Sequence, residues 1–264
     1  MPRLLPAGLG MVAFALVVTG CSLVDVQTIR GSGTVVTEEF ELVGFEGLDV
    51  SRGWDVSVVA DDDFGLSVSA DDNVSQYLEI ELDDTILRLD IDDSVNLRDA
   101  TVAARIAMPT VRSVSLRSGG AAELTAPGVS DDLALRLTGG SQVACSAVSA
   151  GTVTVELAGG SDVTCTELAA EALRADLAGG SALRVSGDAA TAELVASGNS
   201  QLELSALEVA GASVVLSGGS RAELTVSGVL AADVTNGSAL RYAGDPVLGA
   251  VDVDQSSSLE ALAS

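Results

Sequence analysis

The chain has 264 residues and a formal net charge of −25, from 38 acidic residues against 13 basic ones, every one of them arginine. An acidic surface of this kind repels nucleic acid and anionic headgroups, so neither is expected as a partner. Histidine is absent, which excludes Ser-His-Asp and Cys-His catalysis and any His-ligated zinc or iron site.

Met1-Pro2-Arg3, an apolar run from Leu4 to Val17, and Val18-Thr19-Gly20-Cys21 read as a secretory signal over 1–20, too short and wrongly flanked for a spanning helix. Its ending resembles the lipobox of bacterial lipoproteins, which implies cleavage before Cys21 and lipidation of that cysteine. Export to the cell envelope, with a lipid as the membrane anchor, is the expectation. Residues 21–30 would carry the lipid and a short tether, and 31–264 would form a single β-solenoid domain.

Within that domain, residues 31–110 read as β-rich but irregular. Short alternating strands are predicted over Phe45–Ser51, Trp54–Val59, Leu66–Ala70, Ile80–Leu82 and Ile86–Ile91, with a turn at Asp83-Asp84-Thr85. Acidic pairs and triplets fall where turns are needed, and Asn73–Leu78 is the one stretch read as a helical turn. From 111 the sequence becomes repetitive, beginning with a degenerate copy at Ser118-Gly119-Gly120. Seven further corners end in Ser141, Ser161, Ser181, Ser200, Ser220, Ser238 and Ser257, spaced by 18 to 20 residues. A unit that short cannot bury its own apolar face and must stack on its neighbours.

Aligned on the corners, four columns are aliphatic and must face inward. They run from Leu135, Leu137, Val143 and Cys145 in the first copy to Val251, Val253, Leu259 and Ala261 in the last. The pattern predicts an all-β, parallel β-helix-like solenoid, its rungs about 4.8 Å apart and its seven full copies spanning roughly 35 Å. The corner needs backbone conformations that glycine reaches cheaply, as does asparagine at Asn199 and Asn236. Gly-Gly also marks phosphate loops, but these need a lysine and a following helix. The corner serines read as supports of the turn, with a hydroxyl ladder along one edge as the alternative.

Three groups of residues are candidates for chemistry. One outward column reads Arg136, Glu156, Asp176, Val195, Val215, Asp233, Asp252, placing Glu156 beside Asp176 and Asp233 beside Asp252 on neighbouring rungs. Carboxylates about 5 Å apart serve retaining glycosidases, so a polysaccharide-active enzyme is one reading. A solvated acidic face is favoured over it, because sugar-stacking aromatics are missing from the repeats. A second outward column pairs Arg184 with Glu203 and Arg241 with Glu223 and Glu260, which is scaffold chemistry. Cys145 and Cys165 share an inward column, as a disulfide or as two stacked thiols, the parallel Cβ directions favouring the thiols. The Asp clusters lack EF-hand and β-roll spacing, and no metal or other cofactor is expected.

The segments Gly31-Ser32-Gly33-Thr34-Val35-Val36-Thr37-Glu38-Glu39 and Gly44-Phe45-Glu46-Gly47-Leu48-Asp49-Val50-Ser51 carry a family resemblance. So do Trp54-Asp55-Val56-Ser57-Val58, Leu66-Ser67-Val68-Ser69-Ala70-Asp71-Asp72-Asn73 and the later Gly-Gly-Ser rungs. Together they resemble the head GIN domain family, described as auto-transporter adhesins, over Gly31 to about Leu259. The resemblance implies a right-handed β-helix-like fold, export and adhesion, with no catalytic residue to carry over. Arg52-Gly53-Trp54 stands where a Gly-rich turn is common in the family, so Trp54 is a candidate surface contact, with burial the favoured alternative. The expected role is non-catalytic binding to a polysaccharide, a matrix or an envelope protein, with an envelope sensor module as a further alternative.

Overall fold

The computed structural model describes residues 26–125 and 132–262. The signal segment 1–20 and Cys21 lie outside these. Strands β1 (Gln27–Arg30) and β2 (Val35–Glu39) precede β3 (Gly47–Ser51), β4 (Asp55–Ala60) and β5 (Gly65–Asp71). One 3-10 turn at Ser75–Tyr77 leads to β6 (Leu78–Asp83), β7 (Ile86–Ile91), β8 (Val95–Arg98) and β9 (Val102–Met108). Then come β10 (Ser113–Arg117), β11 (Ala121–Thr125), β12 (Asp132–Thr138), β13 (Gln142–Ser146) and β14 (Ser149–Ala158). The last are β15 (Asp162–Leu177), β16 (Ala182–Ala196), β17 (Gln201–Leu216), β18 (Arg221–Val234), β19 (Ala239–Ala243), β20 (Val247–Val253) and β21 (Ser258–Ala261).

The rungs stack in parallel as a β-solenoid. One face runs β7–β3–β10–β12–β14 and on through β15, β16, β17 and β18 to β20. Another runs β9–β4–β11–β13 and on through the first halves of β15 to β18, then β19 and β21. The solenoid wall has its core on one side and solvent on the other, so each strand alternates aliphatic-in and polar-out. From Leu133 to Leu240 the inward Val, Leu and Ala columns form a continuous buried core. Burying each Val or Leu contributes about 1.5–3 kcal/mol.

The first corner turns through two consecutive positive-φ residues, as in Gly139 (69°) and Gly140 (77°) or Gly179 (67°) and Gly180 (77°). The two positions are not equivalent. A Cβ on Gly179 would lie 3.3 Å from the backbone nitrogen of Gly159 one rung away, whereas one on Gly180 would meet open space. The third residue is the serine, buried, with its hydroxyl donating to the carbonyl three residues back: Ser141 to Thr138 (2.8 Å), Ser181 to Ala178 (2.8 Å), Ser200 to Ser197 (2.7 Å). These hydroxyls close the turn from inside and present nothing to solvent. A second corner has no recurrent glycine: it turns at Ala147 (φ 54°) and Glu167 (φ 58°), and at Gly187 (φ 125°) on the rung after them.

Three features depart from the sequence expectations. Gln27–Arg30, expected as the end of a tether, is a strand in register with Val95–Arg98. The region before 110 already contains stacked rungs, and they are out of chain order: β7 and β9 lie on the far side of β3 and β4 from β10 and β11. Beyond them the pairing turns antiparallel, through β6 on β7, β5 on β9 and β2 on β5. At the other end, Val251 and Ala261, expected inside, are exposed and Leu259 only half-buried, because among the described residues β20 and β21 pair on one side alone; Tyr242, on β19, is half-buried as well.

The opening motif is held by a carboxylate. Asp71, 1% exposed, accepts from the Gly33 amide (2.6 Å) and the Thr101 amide (2.7 Å). Asp72 accepts from the Ser32 hydroxyl (2.6 Å), and the Asn73 side chain accepts from the Ser32 amide while donating to the Arg30 carbonyl. The Gly31–Thr34 segment is thereby clasped to the end of β5.

Candidate functional site

On the face ending in β20, strand register places Glu156 opposite Asp176 and Asp233 opposite Asp252. Alternation along the strands turns these side chains outward while Val155 and Leu157 turn in. Small residues at the corner edge of the face, Ala158 and Ala178, leave a shallow trough of about 390 Å³. Arg117, Arg136, Glu156 and Asp176 line it, with Thr138. Arg136 donates to Glu156 at 3.0 Å and Arg117 to Asp49 at 3.0 Å. Asp176 has no counter-ion among the described residues. The trough therefore runs from arginine to free carboxylate across successive rungs. Such a surface suits neutral polar or mixed-charge groups, which can accept from guanidinium and donate to carboxylate.

The second pair stands in a different setting. Asp233 and Asp252 sit beside Val215, Ala231, Ala250 and Val251 around a shallow depression of about 460 Å³. Val195 and Val215 lie between the two acidic pairs and are both exposed. Among the described residues, no group of three or more acidic or cysteine side chains is arranged to hold a metal ion.

The neighbouring face is a ladder of ion pairs. Arg184 donates to Asp162 (2.7 Å) and Glu203 (3.0 Å), and Arg241 lies 3.7 Å from Glu223 and 3.4 Å from Glu260. All are substantially exposed, so each contributes about 0–1 kcal/mol and serves mainly to fix register.

Trp54 is not a surface contact. It is fully buried because Arg52-Gly53-Trp54 is itself a corner, and its third residue points inward where later rungs carry serine. The neighbouring rung has Gly120 at that point. Cys145 and Cys165 stand opposite each other in register with their Cα atoms 4.5 Å apart, joined as a disulfide. Both are buried, so the bond belongs to the core.

Sequence reasoning missed one cleft, of about 530 Å³, beside the Arg52 corner. Arg52 holds a positive φ of 60° at the first corner position, where later rungs have glycine except at Ser118 and Asn236. Its guanidinium pairs with Asp90 (3.6 Å) and Asp93 and donates to the Asp92 carbonyl (3.2 Å). Hydrogen bonds from Ser94, with Arg52 close by, hold Asp92 below the usual carboxylate range. A non-glycine residue at the first corner position was the available signal.

The family model described as "Putative auto-transporter adhesin, head GIN domain" matches residues 44–246. The chain belongs to this family. Solved structures share the head GIN domain chain's fold at low identity. A "Putative lipid binding protein" from Parabacteroides distasonis superposes with a TM-score of 0.84 at 17% identity, covering 90% of this chain and 100% of that one. A "putative adhesin" from Parabacteroides merdae gives 0.81 at 15% identity, over 90% and 100%. Another "putative adhesin" from Parabacteroides distasonis gives 0.77 at 17%, over 89% and 100%. No curated protein matches the chain. Among the described residues, no helix is long and apolar enough to cross a membrane.

Proposed function

We propose that this head GIN domain protein is an exported, lipid-anchored binding module of the cell envelope, non-catalytic, displaying its solenoid faces to an external partner. Cys21 carries the lipid, and the membrane is reached through that lipid alone. The observation that carries the reading is the open trough of Arg117, Arg136, Glu156 and Asp176 on a flat face. Glu156 is paired with Arg136 at 3.0 Å, and the trough is shallow and open, which supports a face used for recognition. The trough crosses several rungs, so its partner is extended, and a polysaccharide of neutral or mixed charge matches its alternation of donors and acceptors.

The test is binding of the full chain to a glycan array. Glycan binding that falls for Arg136→Ala and for Asp176→Asn supports the reading. Binding unaffected by either change, or a demonstrated hydrolase activity that Glu156→Gln abolishes, overturns it. Incorporation of labelled palmitate, lost in Cys21→Ser, tests the anchor separately.

A further inference from the structure

The last rung combines an open backbone edge, uncovered apolar columns and a carboxylate without a counter-ion. Strand β20 pairs with β18, and β21 with β19. Among the described residues neither has a strand on its other side. A parallel edge strand left in this way carries a row of backbone donors and acceptors with no strand to take them. The opposite end of the solenoid differs, because antiparallel β2 and β6 terminate it.

Side chains follow the same division. Leu248 and Val251 continue the columns of Leu230 and Ala232, which are buried one rung earlier. On the last rung Leu248 is 48% exposed and Val251 40%. Val247 stands opposite Val229 on the outer surface, and the two are 70% and 53% exposed. Apolar groups repeated along an open edge are what native solenoids usually blunt with charge, proline or a cap. Asp252 lies on this strand beside Asp233, and neither makes an ion pair or side-chain hydrogen bond among the described residues. Two facing carboxylates without a cation favour a positive group on the next strand.

We infer that β20 is a docking edge for an extended segment of another polypeptide in which apolar residues alternate with arginine or lysine. The added strand continues the stack: its apolar residues cover Val251 and Val253, and its basic residues project outward beside Asp252. Backbone pairing supplies affinity and the alternating side chains supply specificity, as in strand addition generally. A second copy of this chain is the poorer occupant. The net charge is −25, and the last rung itself carries Asp245, Asp252, Asp254 and Glu260 against Arg241. This edge is distinct from the Arg136–Asp176 trough, so either site can fail without the other.

The test uses the full chain and three labelled peptides of seven residues, the length of β20. One alternates valine with arginine, one has the same composition in two blocks, and one alternates valine with glutamate. The alternating arginine peptide is expected to bind at least about tenfold more tightly than the block peptide, the ratio that burial of one valine supplies. Asp252→Asn weakens it about threefold, as one cross-strand charge pair would, and Glu156→Gln leaves it unchanged. Amide hydrogen exchange slows at Leu248–Val253 on binding. Equal binding of both arginine peptides would reduce the effect to surface charge and overturn the inference. Protection appearing elsewhere on the solenoid would do the same. So would sedimentation showing a dimer that Val251→Arg dissociates, which would assign the edge to a second copy.

Discussion

The two corner glycines of one rung offer a direct test of how the repeat is built. Gly179 and Gly180 have φ values of 67° and 77°, so alanine at either position carries the left-handed penalty of about 1–2 kcal/mol. Removing glycine from the unfolded chain offsets this by about 0.4–1 kcal/mol. Gly180→Ala, with open space around the new methyl, should therefore cost about 0.5–1 kcal/mol. Gly179→Ala adds a Cβ 3.3 Å from Gly159 N and 3.7 Å from its Cα, where the backbone of the next rung cannot swing away as a side chain can. Overpacking of that kind costs about 1–3 kcal/mol more, so the total is about 1.5–4 kcal/mol. Gly180→Asn should be nearly neutral, because Asn199 occupies the same position one rung later. Urea unfolding followed by far-ultraviolet circular dichroism measures the differences, compared only between curves of equal m-value, since stacked repeats need not unfold in one step. Equal losses for the two alanine variants would refute stacking as the reason for the first glycine and leave backbone conformation as the whole explanation.

Three further outcomes are expected. Asp71→Ala removes the acceptor for the Gly33 and Thr101 amides and should cost about 2 kcal/mol, with faster amide exchange at both residues as its local signature; unchanged exchange there would count against the clasp. Asp254, which accepts from the amide of Asn236 and from Ser257 and Ser256, is lowered from 3.8 to about 2, so the hold it gives the last corner is complete above 3.8 and is lost as pH falls through about 2. A carboxyl carbon titration by NMR should place its midpoint near the lower value, and one at 3.8 would contradict the geometry. Reducing the bond between Cys145 and Cys165, which closes a loop of 20 residues, should destabilise the chain by about 3 kcal/mol; free thiols titrated in exported protein before any reductant is added would deny the bond.

The interior was legible because stacking imposes one residue class on each column, and period-two alternation marks which columns turn in. Leu137, Leu157 and Leu177 announce their position by recurring at one distance from a glycine corner. Ala147 and Glu167 announce nothing: they adopt positive φ without the glycine that signals it, so the second corner was invisible. The order of the early rungs was hidden for another reason. Whether β7 joins β3 or another edge depends on the antiparallel partners β5 and β6, which are settled by tertiary packing. The acidic pairs were placed correctly by register alone. Their surroundings were not, because a trough depends on the small neighbours Ala158 and Ala178 and on where Arg136 reaches.

This division bears on where function sits in the fold. Inside the solenoid each position is fixed by its neighbours above and below, so the aliphatic columns and corner hydroxyls are committed to stability. Outward positions are free of that constraint, and there the rungs stop resembling one another: Arg136, Glu156, Asp176, Val195 and Val215 occupy one column in succession. A purely structural ladder needs only opposite charges within reach of one another, as Arg184 and Arg241, each between two carboxylates, display. The column through Glu156 instead passes from arginine to carboxylate to valine and back to carboxylate along the axis. A sequence of differing groups at one fixed spacing is a surface that can distinguish one extended partner from another, and it continues to β20, whose outer edge pairs with no strand among the described residues.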